Sequence, residues 1–168
     1  MKTLFLDGSH PDTLDIAADL LRRGELVAFP TDTVYGLGVH SQLPQAIEQL
    51  YVVKGRREEK GIPLLLADTD SLALVVTEVP EVARRLARAF WPGGLTLVLP
   101  KKPTVPAAVS REPTVAVRIP DHPLTLALIR KVGTPLATSS ANRSGKPSLT
   151  TAQEVRAVFD GRIAAIID

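Results

Sequence analysis

Four clusters in the 168-residue sequence carry residue types that can do chemistry. The first is PTDTVYGLG, Pro30 to Gly38, in which hydroxyls, a carboxylate, a phenol and glycines follow an apolar run. That mixture suits a loop wrapped around a small polar ligand. It suits equally a turn in which Thr31 and Asp32 satisfy local backbone groups. The second is Lys54-Gly55-Arg56-Arg57-Glu58-Glu59-Lys60, at the end of a predicted helix. Its cations could hold phosphate oxygens. Taken alone, they read better as a solvated face, complementing a helix C-terminus beside two glutamates. The third is Arg118, closing the apolar stretch TVAVR. An arginine there is costly unless its head meets an anion, either a structural carboxylate such as Asp121 or that of a ligand. The fourth is TSSANRSGKPS, Thr138 to Ser148, after another apolar run and so where open α/β sheets place ligands. Its hydroxyls, backbone N–H groups and Lys146 favour a site for phosphate or ribose.

Several common signatures are missing. SGKPS (Ser144 to Ser148) lacks the earlier glycine of a phosphate-binding loop and has proline after its lysine. Gly36-Leu37-Gly38 is followed by Ser41 where a dinucleotide fingerprint requires glycine. His10, His40 and His122 show no ligand spacing, so structural roles and no metal site are expected. The sequence has no cysteine, which removes disulfides, iron–sulfur clusters and thiol catalysis.

The elements that must position these clusters alternate. Strands are expected at Thr3–Leu6, Glu25–Pro30, Pro63–Ala67, Leu95–Pro100, Thr114–Pro120, Pro135–Ser139 and Ile163–Asp168. Helices are expected between them. One carries Leu14, Ala17, Ala18 and Leu21 inward and stops at Gly24. Another begins near Pro44 and buries Ala46, Ile47, Leu50 and Tyr51. A third runs from Pro80 to Phe90 with Val82, Ala83, Leu86 and Phe90 on one side. Others span His122–Val132 and Thr150–Phe159, the last with a capping box of Thr151 and Glu154. The pattern predicts an α/β fold: one domain over residues 1–168, a twisted open mixed sheet with helices packed on it. Fourteen prolines, many at strand ends, argue against a regular doubly wound sheet.

Composition agrees with a globular chain: 45% hydrophobic, 23% charged, and a net charge of only +2. No apolar stretch approaches the ~20 residues of a membrane span, and no signal peptide is evident. A cytoplasmic protein without membrane contact is expected. Arginines outnumber lysines 13 to 7; charge this mild does not by itself demand a nucleic-acid partner.

Taken in order, PTDTVYGLG, KGR with Lys60 four residues on, WPGGLTLVLP, VAVRIPDHP and SSANRSGKPS resemble motifs of the YrdC-like family, the threonylcarbamoyl-adenylate synthases. The resemblance runs from about residue 10 to the end. It implies a YrdC-like twisted sheet with a concave basic cavity. The implied enzyme is a nucleotidyltransferase that converts L-threonine, bicarbonate and ATP, with Mg2+ accompanying the ATP, into threonylcarbamoyl-AMP and pyrophosphate. The product would pass to a tRNA threonylcarbamoyl transferase complex.

Carried over position by position, the resemblance implies that Thr33, Arg118 and Thr138 bind the amino acid. It places Lys54, Arg56, Lys60, Thr114, Ser140, Asn142 and Ser148 on the nucleotide, with Lys54 and Arg56 catalytic through the charge they set against the leaving pyrophosphate. No protein nucleophile is required. Two departures stand out. The family continues beyond its last strand here into a glycine-rich loop and a further strand, so a C-terminal continuation past Asp168 is expected. Leu65 stands where longer members have a threonine-contacting histidine. A milder change is Gly94, where proline is common.

The runner-up reading is an RNA-binding or ribosome-associated module using a basic cavity, which would show steep salt dependence. Few aromatic side chains are available for stacking, and most follow core patterns. A carbamoyl-transfer domain of hydrogenase-maturation type is a third reading, but those chains carry acylphosphatase and zinc-finger segments that are missing here.

Overall fold

The computed structural model describes residues 2–55 and 61–168, which build one eight-stranded mixed sheet flanked by helices. In chain order these are β1 (Leu4–Leu6), α1 (Thr13–Arg22), β2 (Val27–Phe29), β3 (Gly36–His40), α2 (Pro44–Lys54), β4 (Leu64–Leu65) and α3 (Leu72–Val75). They continue with α4 (Glu81–Phe90), β5 (Leu97–Pro100), β6 (Thr114–Arg118), α5 (Pro123–Val132), β7 (Leu136–Ser140), α6 (Ala152–Phe159) and β8 (Ala165–Ile167). The strand order is β1-β8-β2-β3-β7-β4-β6-β5. β8 runs parallel to both β1 and β2, and β4 parallel to β6; the other neighbours are antiparallel.

Alternation along the strands divides the core between two faces. Leu64, Val117 and Ala137 face one layer, where Ile47 and Leu50 of α2, Ala83 and Ala87 of α4 and Val155 and Phe159 of α6 pack. Phe29, Leu65 and Leu136 face the other, closed by Ala17, Ala18 and Leu21 of α1 and Leu128, Ile129 and Val132 of α5. Helices α1 and α5 cover only part of this second face. Leu65, Arg118 and Thr138 of the strands on this side line a pocket.

Three features differ from expectation. Gly36–Gly38, read in the sequence as the end of a polar loop, instead opens the strand β3, which pairs with β2 and β7. Its glycines make room for a neighbour: a Cβ on Gly38 would sit 2.6 Å from Cε1 of Phe29. The ring of β2 fills the space that side chains on β3 would take. Helix α4 buries Ala83 and Ala87, whereas Val82, Leu86 and Phe90 are exposed. Both rows obey i, i+4 spacing, and the small alanines allow the closer approach to the sheet. The short α3 falls in a stretch where no element was expected. The capping box forms as predicted, with Thr151 accepting from the Glu154 amide and Glu154 from the Thr151 amide.

Candidate functional site

The site is built from the turn after β2, the C-terminal end of β6, the turn after α4, and β7 with the loop that follows it. The PTDT turn is held by its own hydroxyls. Thr31 Oγ1 donates to the Val34 carbonyl at 2.6 Å and accepts the Thr33 amide at 3.2 Å. Thr125 of α5 donates to the Pro30 carbonyl at the turn's entry. Tyr35 faces inward: its phenol donates to the Ile167 carbonyl at 3.0 Å. Burial, with the Asp168 carboxylate adding to it, pushes that phenol above its ordinary value. The tyrosine therefore fastens the turn to β8, its phenol proton used on a backbone carbonyl while the residue lines the pocket described below.

Arg118 ends β6 on the strand face shared by Thr114 and Ala116, while Val115 and Val117 enter the core. Its Nε donates to the Gly93 carbonyl at 2.9 Å, and one terminal nitrogen to Thr33 Oγ1 at 3.2 Å. The other terminal nitrogen is ion-paired with Asp32. The structural carboxylate that Arg118 meets is thus Asp32, across the sheet, and not its sequence neighbour Asp121. The WPGG turn that presents the Gly93 carbonyl is fixed by the Trp91 indole N–H on Leu95 O at 2.7 Å and the Gly93 amide on Ile119 O at 2.8 Å. Glycine is required there: a Cβ on Gly93 would approach the Phe90 carbonyl oxygen to 2.5 Å.

Lys54 sits differently from a cation reaching for phosphate. It is 3% exposed at the end of α2. Its ammonium donates to the Ser140 carbonyl, to the Asn142 carbonyl at 2.6 Å, and to Asn142 Oδ1 at 3.4 Å. The Ser144 amide returns to the Lys54 carbonyl at 2.9 Å. Ser140 Oγ donates to Asn142 Oδ1, and Asn142 Nδ2 donates to the Lys146 carbonyl at 2.7 Å. Lysine and loop form one hydrogen-bonded unit. The loop then folds back so that the Leu149 carbonyl, next to exposed Ser148, accepts the Tyr35 amide at 2.9 Å.

Between these parts lies a pocket of about 300 Å³ lined by Thr33, Arg118, Leu65, Thr138 and Ser140 among others. Thr138, 7% exposed, donates to the Leu136 carbonyl. Arg118 is the one charged residue in the described lining. Arg56 and Lys60, to which the sequence assigns nucleotide contacts, lie outside the described residues. Thr114 stands at the far end of β6, four residues from Arg118 and so about 13 Å away along the strand. The structure thus gathers Thr33, Arg118, Thr138 and Ser140, sets Asn142 and Ser148 on the adjoining loop, and holds Thr114 apart. The sequence missed two contributors, the Gly93 carbonyl and the Asp32 pairing. WPGG and PTDT were visible as motifs, but nothing local said that they meet on Arg118.

The histidines do not converge. Among the described residues no three His, Cys, Asp or Glu side chains form a metal-binding group. No helix of the described residues is long and apolar enough to cross a membrane.

The structure is thus an α/β sheet with an arginine-anchored, hydroxyl-lined pocket beside the ends of its strands. A family model described as "Telomere recombination", covering Sua5, YciO and YrdC, matches residues 19–168, and the chain belongs to that family. It is similar to the threonylcarbamoyl-AMP synthase of Bacillus subtilis, at 49% identity over 90% of this chain and 44% of the relative. The synthase of Pyrococcus abyssi is 46% identical over 91% of this chain and 45% of the relative. The chain spans about half the length of these curated relatives. The crystal structure of P. abyssi Sua5 complexed with L-threonine superposes with a TM-score of 0.94 at 42% identity, covering 100% of this chain and 50% of that one.

Proposed function

We propose that this chain carries the activity named for its relatives, making threonylcarbamoyl-AMP from L-threonine, bicarbonate and ATP with release of pyrophosphate. The observation that carries the reading is Arg118, held by Gly93 and Thr33 at the end of β6 and facing a hydroxyl-lined pocket of about 300 Å³. The likeness to a threonine-bound relative over the whole chain supports it.

The chemistry balances without a protein nucleophile. The neutral amine of threonine and bicarbonate give a carbamate and water. A carbamate oxygen then forms a bond to the α-phosphorus of ATP as the bond to pyrophosphate breaks. Such a reaction needs alignment and fixed charge more than acid–base groups. Arg118 would grip the carboxylate of threonine, with Thr33 and Thr138 beside it. Ser140, Asn142, Ser148 and, farther along β6, Thr114 would follow the nucleotide. Lys54 holds the Ser140–Asn142 turn in place and so acts on the nucleotide as a positioning residue. Arg56 and Lys60 would meet the pyrophosphate. Mg2+ enters with ATP as part of the substrate, where it offsets phosphate charge. The product would pass to a tRNA threonylcarbamoyl transferase complex, and the enzyme would class as a nucleotidyltransferase.

Pyrophosphate release from Mg-ATP tests the proposal. Release that requires both threonine and bicarbonate is expected, and release indifferent to either overturns it. The RNA-binding reading is not favoured, since the relatives described above are named as synthases.

A further inference from the structure

We propose that Thr96 is a further substrate-binding residue, its hydroxyl donating to the carboxylate of the amino acid that Arg118 holds. The proposal rests on the threonine reading above and adds a contact to that same site. Strands β5 and β6 are antiparallel with Leu97 opposite Val117, and both of these side chains enter the core. One step along the same register sets Thr96 opposite Arg118, and alternation turns both to the other face. Side chains directly opposite on one face have Cβ atoms about 4.5 to 5.5 Å apart. Thr96 and Arg118 accordingly line one pocket. The backbone of Thr96 is held as well: the Leu95 carbonyl, which forms its peptide bond, accepts the Trp91 indole N–H at 2.7 Å.

An anion needs donors, and the hydroxyls of the pocket offer fewer than their number suggests. Thr31 gives its proton to the Val34 carbonyl, so in its 3.2 Å contact with Thr33 it is Thr33 that donates. Thr138 donates to the Leu136 carbonyl, Ser140 to Asn142 Oδ1 and Tyr35 to the Ile167 carbonyl. The Thr96 hydroxyl has no hydrogen-bond partner among the described residues, so its proton is free for a ligand. Arg118 leaves room for such a donor. Its Nε is used on Gly93, and its terminal nitrogens each direct one N–H, to Thr33 and to Asp32, which leaves one N–H on each. An ionised carboxylate has about four acceptor sites. Arg118 fills at most two of them, and the hydroxyl across the strand pair takes a third. A contact at the carboxylate also leaves the amine neutral and free, as carbamate formation requires.

Thr96→Val replaces the hydroxyl with a methyl of the same shape, and Thr96→Ser keeps the hydroxyl. In calorimetric titration of the 168-residue chain with L-threonine, Thr96→Val is expected to bind about tenfold more weakly than the wild type, the worth of a hydrogen bond to a charged group. Thr96→Ser is expected to recover most of that loss, which a role in strand packing would not allow. Equal losses in the two variants would make side-chain shape the cause and overturn the proposal. Undiminished binding by Thr96→Val also overturns it, and leaves the threonine reading intact. Failure of the wild-type chain to bind threonine overturns both. Should Thr96→Val unfold, Thr96→Ala against Thr96→Ser decides: equal affinity for threonine sinks the proposal, and weaker binding by the alanine variant alone upholds it.

Discussion

The ammonium of Lys54 meets the carbonyl of Asn142, 88 residues further along the chain, at 2.6 Å. The contact joins the end of α2 to the loop after β7 at a point where a dry ammonium and two backbone carbonyls would each be costly alone. It also explains why a lysine in a cationic run is not part of a solvated face.

Lys54→Ala should therefore destabilise the fold by on the order of 2 to 4 kcal/mol, the cost of losing charged hydrogen bonds and leaving carbonyls unpaired. Denaturant unfolding measures it. Lys54→Arg should not restore the loss, because a planar fork does not reproduce three contacts made by a point charge. A variant as stable as the wild type would return Lys54 to the role of a free cation.

Arg118→Ala should weaken threonine binding by on the order of 2 to 5 kcal/mol, since the ligand carboxylate loses its partner. Titration calorimetry reads the effect. Arg118→Lys should recover only part of it, having charge without the fork that reaches Gly93 and Thr33 together. Threonine affinity unaltered in both variants would remove Arg118 from the site.

Gly38→Ala should cost about 1 to 3 kcal/mol through overpacking against the Phe29 ring. A double-mutant cycle with Phe29→Leu separates this from a general effect of altering β3. The two changes should be less than additive, as the smaller side chain returns the space that the methyl takes. Strict additivity would mean that the ring and the glycine do not determine each other.

The carboxyl of Glu154 is held below its ordinary value by the Thr150 and Thr151 amides. Its contribution to stability is complete above the usual glutamate range and is lost as pH falls through the lowered folded value. Asp7 and Asp68, bonded to Ser9 and Ser71, carry the same sign. Glu154→Gln should lower the melting temperature in the neutral region and leave the strongly acid end little changed, so that the acid side of the profile flattens. A profile identical to the wild type would mean that the capping box adds nothing in solution.

Local pattern was enough for much of the scaffold. Ala17, Ala18 and Leu21 all reach zero exposure on the face that their spacing marks, and the capping box is written in Thr151 and Glu154. Pattern failed where a choice depended on a distant neighbour. Gly36 and Gly38 look like loop residues until Phe29 is laid against them. The Val82, Leu86 and Phe90 row looks like a core face until the sheet selects the alanine row beside it. The site divides in the same way. Thr33, Arg118, Thr138 and Ser140 were all visible in motifs, and the structure brings them to one pocket. The pairing of Arg118 with a residue 86 positions earlier was not visible, because only the packing of the PTDT turn over the end of β6 creates it.

The place of β8 between β1 and β2 bears on how the chain must be made. β1 and β2 do not pair with each other, and Thr3 bonds to Ile163 across 160 residues. On the ribosome, the first two strands emerge long before the strand that joins them. Until it arrives, their inner edges stand open to other chains. Closure of the sheet is thus a late, long-range event, and long-range pairing of this kind folds slowly. A nascent chain stalled before Ala165 would be a substrate for holding chaperones, with both ends of its sheet waiting for a third strand.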